Sequence, residues 1–247
     1  MRKLPVAKLI LGSLVIPWHY RASILRSIWP LLIILLGVLS VFSTYVIPFH
    51  KSLGPFSVLL WVIIVAIAVY CQTTIAVIVH RAIILPAEPH TYAWGKREWH
   101  FLGYTVMIGV FQSFAEALVS VPIFLFGCLM LHSDCVLTEY KSFFKIIINI
   151  PVAYLVARFC LSFPSIAVDS KINAKSSWIE TRPAAKSISF IVGYWPLALV
   201  TLISVLPSGP SIIGLAWEAP LYELAFIITV SAASLVYLEM RRNKTFD

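Results

Sequence analysis

Charge is the scarce ingredient of this chain. Asp, Glu, Lys and Arg together make up 12% of its 247 residues, about half the share usual in soluble domains. Acidic residues are scarcer still, at 11. A water-soluble enzyme, a disordered regulator and a DNA-binding domain all need more polar surface than this. Cysteine is also sparse. Of the four, Cys71, Cys128 and Cys160 lie in apolar runs, and no C-x-x-C spacing occurs. Small buried hydrophobes are the expected role, and spacing favours free thiols over a Cys128–Cys135 disulfide. Phosphate-binding loops, nucleophile elbows, H-E-x-x-H and Ca²⁺ loops are absent, so no catalytic residue is assigned and no enzyme activity is expected. The six His, His80, His90 and His100 among them, are read as interfacial groups near the ends of apolar runs, with no metal or cofactor.

Apolar residues, in contrast, reach 60%, with 15 Phe, 8 Trp and a mean hydropathy of +0.91. They fall into six runs: Trp29–Phe49, Pro55–Val79, Phe101–Leu131, Phe143–Val168, Ile188–Leu206 and Leu221–Met240. A bilayer crossing takes about 20 such residues. The expected fold is therefore all-α: a polytopic membrane protein of about six transmembrane helices. Three parts are expected: an interfacial amphipathic segment over 1–28, a six-helix domain over 29–240 and a basic tail over 241–247. On a helical wheel of the first part, His19, Ser23, Arg26 and Ser27 share one face, and Tyr20, Ile24, Leu25, Ile28 and Trp29 the other. No convincing small-residue cleavage site follows it, so no cleavable signal peptide is expected. Pro207–Pro220 stays open between a loop, a re-entrant segment and an early start of the sixth helix.

The formal charge of +8 follows from topology rather than from nucleic acid binding. Fifteen of the 19 Lys and Arg fall in alternate segments: the N-terminal stretch, the second and fourth connections and the tail. The other connections hold only Lys51, Lys141 and Lys145. By the positive-inside rule both termini are cytoplasmic. Arg21, Arg26, Arg81, Lys96, Arg97, Arg241 and Arg242 are the expected contacts to lipid headgroups.

The remaining charges are informative because they stand inside runs. Gln112, Glu116 and Ser120 recur every four residues on the third run, and Tyr154, Arg158, Ser162 and Ser165 form a stripe on the fourth. Counted at 1.5 Å per residue, Glu116 lies about 22 Å and Arg158 about 15 Å from the cytoplasmic ends. That spacing permits a Glu116–Arg158 pair completed by Gln72 and Thr73, with Tyr70 and Thr74 nearby. Such a cluster is either a solute or proton pathway or, more commonly, an ion pair that fixes helix packing. Glu223 and Glu239 are placed near opposite ends of the sixth run, within reach of the interface. Small residues around Thr229–Ala233 and Ser234 are expected to pack within the chain first and in an oligomer second.

Arg158–Arg182 (RFCLSFPSIAVDSKINAKSSWIETR) contains an Arg, a Pro-bearing helix end, an apolar run with an acid, and Ser-Trp-x-x-Thr. These are Arg158, Pro164, Ile166–Asp169 and Ser177, Trp178 and Thr181. The arrangement resembles uncharacterised six-span bacterial inner-membrane proteins and the membrane domain attached to some glycerophosphodiester phosphodiesterases. HRAIILPAEP (His80–Pro89) is similar to the end of the second span in such proteins, whereas Arg182–Pro183 stands where they carry Gly or Asn. The resemblance implies a helical bacterial inner-membrane protein; it does not imply phosphodiesterase activity. Within the segment, Pro164 is expected to end or kink the fourth helix, Asp169 to be neutralised by Lys171 or Arg182, and Trp178 to anchor a short interfacial helix. The layout around Trp94, Lys96 and Trp99 suggests a weak repeat of two-helix units.

The first functional expectation is a non-enzymatic accessory, scaffold or assembly subunit, partnered by membrane lipids and by another membrane protein or a second copy. The rivals are a small transporter subunit using the Glu/Arg cluster and a lipid-handling protein.

Overall fold

The computed structural model describes residues 4–41, 55–86, 94–131, 149–170, 172–205 and 212–244, with some positions, Glu116 and Ser120 among them, described by backbone alone. Every regular element among the described residues is helical. In chain order these are α1 (Val6–His19), α2 (Arg21–Val41), α3 (Pro55–Ile84), α4 (Lys96–Leu131), α5 (149–158), α6 (Ser162–Ala167) and α7 (Ala174–Thr181). A 3₁₀ turn (Arg182–Ala184), α8 (Ala185–Ile188) and a π turn (Ser189–Tyr194) lead into α9 (Trp195–Val205), and α10 (Ile212–Lys244) ends the described chain.

Among the described residues, three stretches are long and apolar enough to cross a membrane: Phe56–Ile84, Ala174–Val205 and Glu218–Asn243. Val6–His19 and Ile24–Val38 would make a fourth if counted as one broken span, bent by 85°. Residue 28, where the lead-in was expected to end, lies in the middle of α2. The expected apolar face of this segment divides in two. Ile24, Ile28, Leu31 and Leu35 recur at helical spacing and are buried, whereas Leu25 and Trp29 point outward.

The long α10 is the shared wall of two cores. Its Ile227 and Val230 join α2 and the buried Cys71–Ile83 stretch of α3. Its Ala232, Ala233, Val236 and Tyr237 pack with Leu9 of α1, Ala157 of α5 and Ile188 and Ile191 ahead of α9. The small residues Ser231, Ala232, Ala233 and Ser234 are all buried within the chain, where small side chains let helix backbones approach. Gly193 serves the same end in the π turn: a Cβ there would meet the Ala153 carbonyl oxygen at 2.6 Å.

The fourth run is not one helix. The chain tightens at Phe159–Leu161 into bonds such as Ser162 N–H to the Phe159 carbonyl, 3.0 Å. The break lies in the turn before Pro164, where a proline's missing N–H and its ring act on the carbonyl four residues back, here that of Cys160. Pro164 is the third residue of α6, a first-turn position whose N–H has no intrahelical partner to lose. Past α6, Asp169 takes φ 55°. Ser170 N–H bonds the Ser165 carbonyl at 2.8 Å, and Asp169 N–H bonds that of Ile166 at 3.1 Å. This is a Schellman closure with Asp in the left-handed position usually held by Gly.

Of the three possibilities for Pro207–Pro220, residues from Ile212 onward are the early start of α10.

Candidate functional site

Two polar pairs tie α3 to α10. Gln72 Nε2–H donates to Glu223 Oε1 at 2.8 Å. Two turns on, His80 Nδ1 meets Ser234 Oγ at 2.7 Å. Both residues were expected at an interface, but Glu223 is 6% and His80 2% exposed. The reason is helix length. α10 begins nine residues before the run's first residue Leu221, and α3 continues past Val79 to Ile84, so positions read as helix ends lie inside the bundle. Among the described residues, Glu223 Oε2 has no hydrogen-bond partner.

Beside these pairs lies an inter-helix cavity of about 360 Å³. Helix α3 contributes Ala68, Gln72, Ala76 and His80, a stripe at four-residue spacing. The facing walls are mostly apolar, with Phe101, Phe163, Phe226 and Ala233 among them, and Thr73, Thr105 and Thr229 add hydroxyls. The His80 ring also lies 5.9 Å from that of Phe101.

The Arg158 side chain is engaged elsewhere. It is 4% exposed, donates from Nη2 to the Trp178 carbonyl, reaches Tyr154 Oη at 3.4 Å and stacks 4.4 Å above the Trp178 ring. Its carbonyl, at the broken end of α5, accepts from Ser177 Oγ at 3.0 Å, and Thr181 Oγ1 lies 3.2 Å away, sharing its one hydrogen with the Ser177 carbonyl at 2.8 Å. Arg158, Ser177, Trp178 and Thr181 thus form one clasp joining α5 to α7. It caps a helix-end carbonyl and engages both Nη atoms of a buried guanidinium, while among the described residues Nε is left without a partner. The Glu116 side chain lies outside the described residues, and Gln112 on α4 is half-buried. The six residues expected in one polar cluster are thus distributed: Gln72 and Thr73 line the cavity, and Tyr154 joins Arg158 in the clasp.

Asp169 is met across the fold by two arginines. Arg97 Nη2 lies 3.1 Å and Arg81 Nη1 3.9 Å from its Oδ2, while Arg182 is exposed and Lys171 lies outside the described residues. Residues distant in sequence meet here because α6 packs against both α3 and α4. Arg81 also donates to the Ala167 carbonyl at 3.1 Å, a cation at the C-terminus of α6. Arg81 and Arg97 therefore hold the fold together. Arg21, Arg26, Lys96, Arg241 and Arg242 remain exposed, with Arg21 over Trp18 and Arg241 over Tyr237.

No protein family, curated protein or solved structure matches this chain.

Sequence pattern pointed to Gln72 and Thr73 but missed His80, Glu223 and Ser234 as parts of the site. The available signal was the four-residue spacing of Ala68, Gln72, Ala76 and His80, which continues one helix face beyond the end assigned to the run.

Proposed function

We propose that this chain is a six-span bacterial inner-membrane protein, with both termini cytoplasmic, that takes the apolar chain of a lipid between its helices without catalysis. One observation carries the reading: a cavity of about 360 Å³ with mostly apolar walls, inside a bundle of apolar helices. That volume falls within the roughly 300–1,000 Å³ of small-molecule sites. At about 30 Å³ per water-sized group it holds about a dozen heavy atoms. In a bilayer the abundant apolar solute is the acyl chain. The proposed orientation draws support from Arg81 and Arg97 of the second connection, which meet Asp169 beside the fourth.

The accessory-subunit reading loses its small-residue face, because Ser231–Ser234 are buried within the chain. What favours it instead is α4, which turns Val106, Val110, Phe114 and Leu118 outward and has nothing within 4 Å of a Cβ at Gly109.

The test is photolabelling in nanodiscs with a lipid carrying a diazirine on its acyl chain. Labelling is expected on peptides containing Phe163 and Phe226 and is expected to be lost in Ala233→Phe, which fills the cavity. Labelling that Ala233→Phe leaves unchanged rejects the reading. A stoichiometric membrane-protein partner retained in mild detergent on the α4 face would favour the accessory role.

A further inference from the structure

Several of the hydrogens on the cavity's polar groups are committed to the protein itself. Thr105 Oγ1 donates to the Phe101 carbonyl at 3.0 Å, and Thr229 Oγ1 to that of Ala225 at 2.8 Å. Gln72 gives one amide hydrogen to Glu223. Ser234 Oγ, with a single hydrogen, donates to the Val230 carbonyl at 3.0 Å. With the Ser234 hydrogen kept on that carbonyl, the 2.7 Å contact with His80 takes its hydrogen from His80 Nδ1. In a neutral imidazole that makes Nε2 an acceptor.

What remains toward the cavity is mainly lone pairs: His80 Nε2, Gln72 Oε1 and the oxygens of Thr105 and Thr229. The second Gln72 N–H, the Thr73 hydroxyl and the weakly donating Cys160 thiol are the donors left to oppose them. No Lys or Arg is among the described lining residues, and the Glu223 carboxyl is bonded to Gln72. An anionic ligand group would meet lone pairs and a carboxyl, with no cation to neutralise it. A group that only accepts would leave the His80 lone pair unmatched.

We infer that the cavity selects an uncharged lipid whose polar end is a hydroxyl, which donates its hydrogen to His80 Nε2 while its apolar chain lies among Phe101, Phe163 and Phe226. The inference rests on the lipid-binding reading above and names the ligand class of that same site.

The experiment is competition against the diazirine lipid by three probes of one chain length: dodecanol, dodecyl methyl ether and dodecanoate. The ether keeps the oxygen and loses the donor. One hydrogen bond is worth about tenfold, so dodecanol is expected to compete about tenfold better than the ether, and dodecanoate least well. Ser234→Ala frees the imidazole to carry its hydrogen on Nε2, and is expected to bring the alcohol-to-ether ratio close to one. His80→Phe, which removes the acceptor, is expected to do the same, and each thermal midpoint in detergent reports whether the variant is folded. Equal competition by alcohol and ether in the unmodified protein, or best competition by dodecanoate, overturns the inference while leaving lipid binding intact. Failure of all three probes, with labelling indifferent to Ala233→Phe, overturns the lipid-binding reading itself.

Discussion

Polar groups are used in two ways in this molecule, between α3 and α10 and around the end of α6. Between α3 and α10, side chains meet side chains: Gln72 with Glu223 and His80 with Ser234. Around α6 and α7, side chains mostly meet backbone: Arg158 with the Trp178 carbonyl, Ser177 and Thr181 with that of Arg158, and Arg81 with that of Ala167. A buried side-chain pair depends wholly on its partner, because nothing else nearby replaces a lost hydrogen bond. A capped helix end retains neighbouring donors and, where exposed, water. The side-chain pairs should therefore be the more fragile, and the exposed ion cluster the most tolerant.

The largest effect is expected for Gln72→Leu, which leaves the Glu223 carboxyl buried without its amide. A loss of about 3 kcal/mol is expected from an unsatisfied buried group of this kind. The double replacement Gln72→Leu with Glu223→Leu should recover most of it, as read by chemical denaturation in detergent. If the double variant is no better than the single one, the pair is not self-contained and the contrast fails.

Next comes Arg158→Met, expected at about 2 kcal/mol from the lost hydrogen bonds and the stacking on Trp178. Arg158→Lys should not restore stability, since an ammonium lacks the planar fork. Full rescue by Lys in thermal melts would reduce the clasp to simple charge placement.

Ser177→Ala combined with Thr181→Val removes both hydroxyls from the Arg158 carbonyl. About 1 kcal/mol is expected, together with faster amide exchange at the α5–α6 turn. Unchanged exchange there would mean the break is held by packing alone.

The smallest effect belongs to Asp169→Asn. The Asp169 side chain is 63% exposed, and exposed ion pairs contribute little. Asn also tolerates the left-handed backbone. Stability should change by no more than about 0.5 kcal/mol, whereas Asp169→Val should cost more because a β-branched residue resists φ 55°. Equal loss in both variants would show that the charge, not the backbone, matters at this turn.

Apolar runs revealed the helical class, because a run long enough to cross a bilayer leaves little alternative. Helix ends were less legible. The prolines and glycines of Pro207–Pro220 left that stretch open among three possibilities, and α10 begins at Ile212 and carries Pro220 inside it. That extension moves Glu223 from an apparent end into the interior. The break at Phe159–Leu161 falls one turn ahead of its marker, Pro164, which itself sits in the first turn of the next helix. The partners of Asp169 lie 72 and 88 residues back along the chain, a pairing created by packing that no local pattern encodes. Arg158 was recognisable as a buried cation, but its aromatic partner, Trp178, was read as an interfacial anchor.

The π turn at Ser189–Tyr194 gives the chain a spare residue. A π turn winds in about one residue more than an α turn. Removing a single residue there would restore α winding without rotating the helices on either side. Elsewhere in an α-helix the same deletion turns everything beyond it by about 100°. Between the Trp178 clasp and α9, this is therefore where a one-residue change in length is absorbed most easily, provided the Gly193 approach to Ala153 is kept.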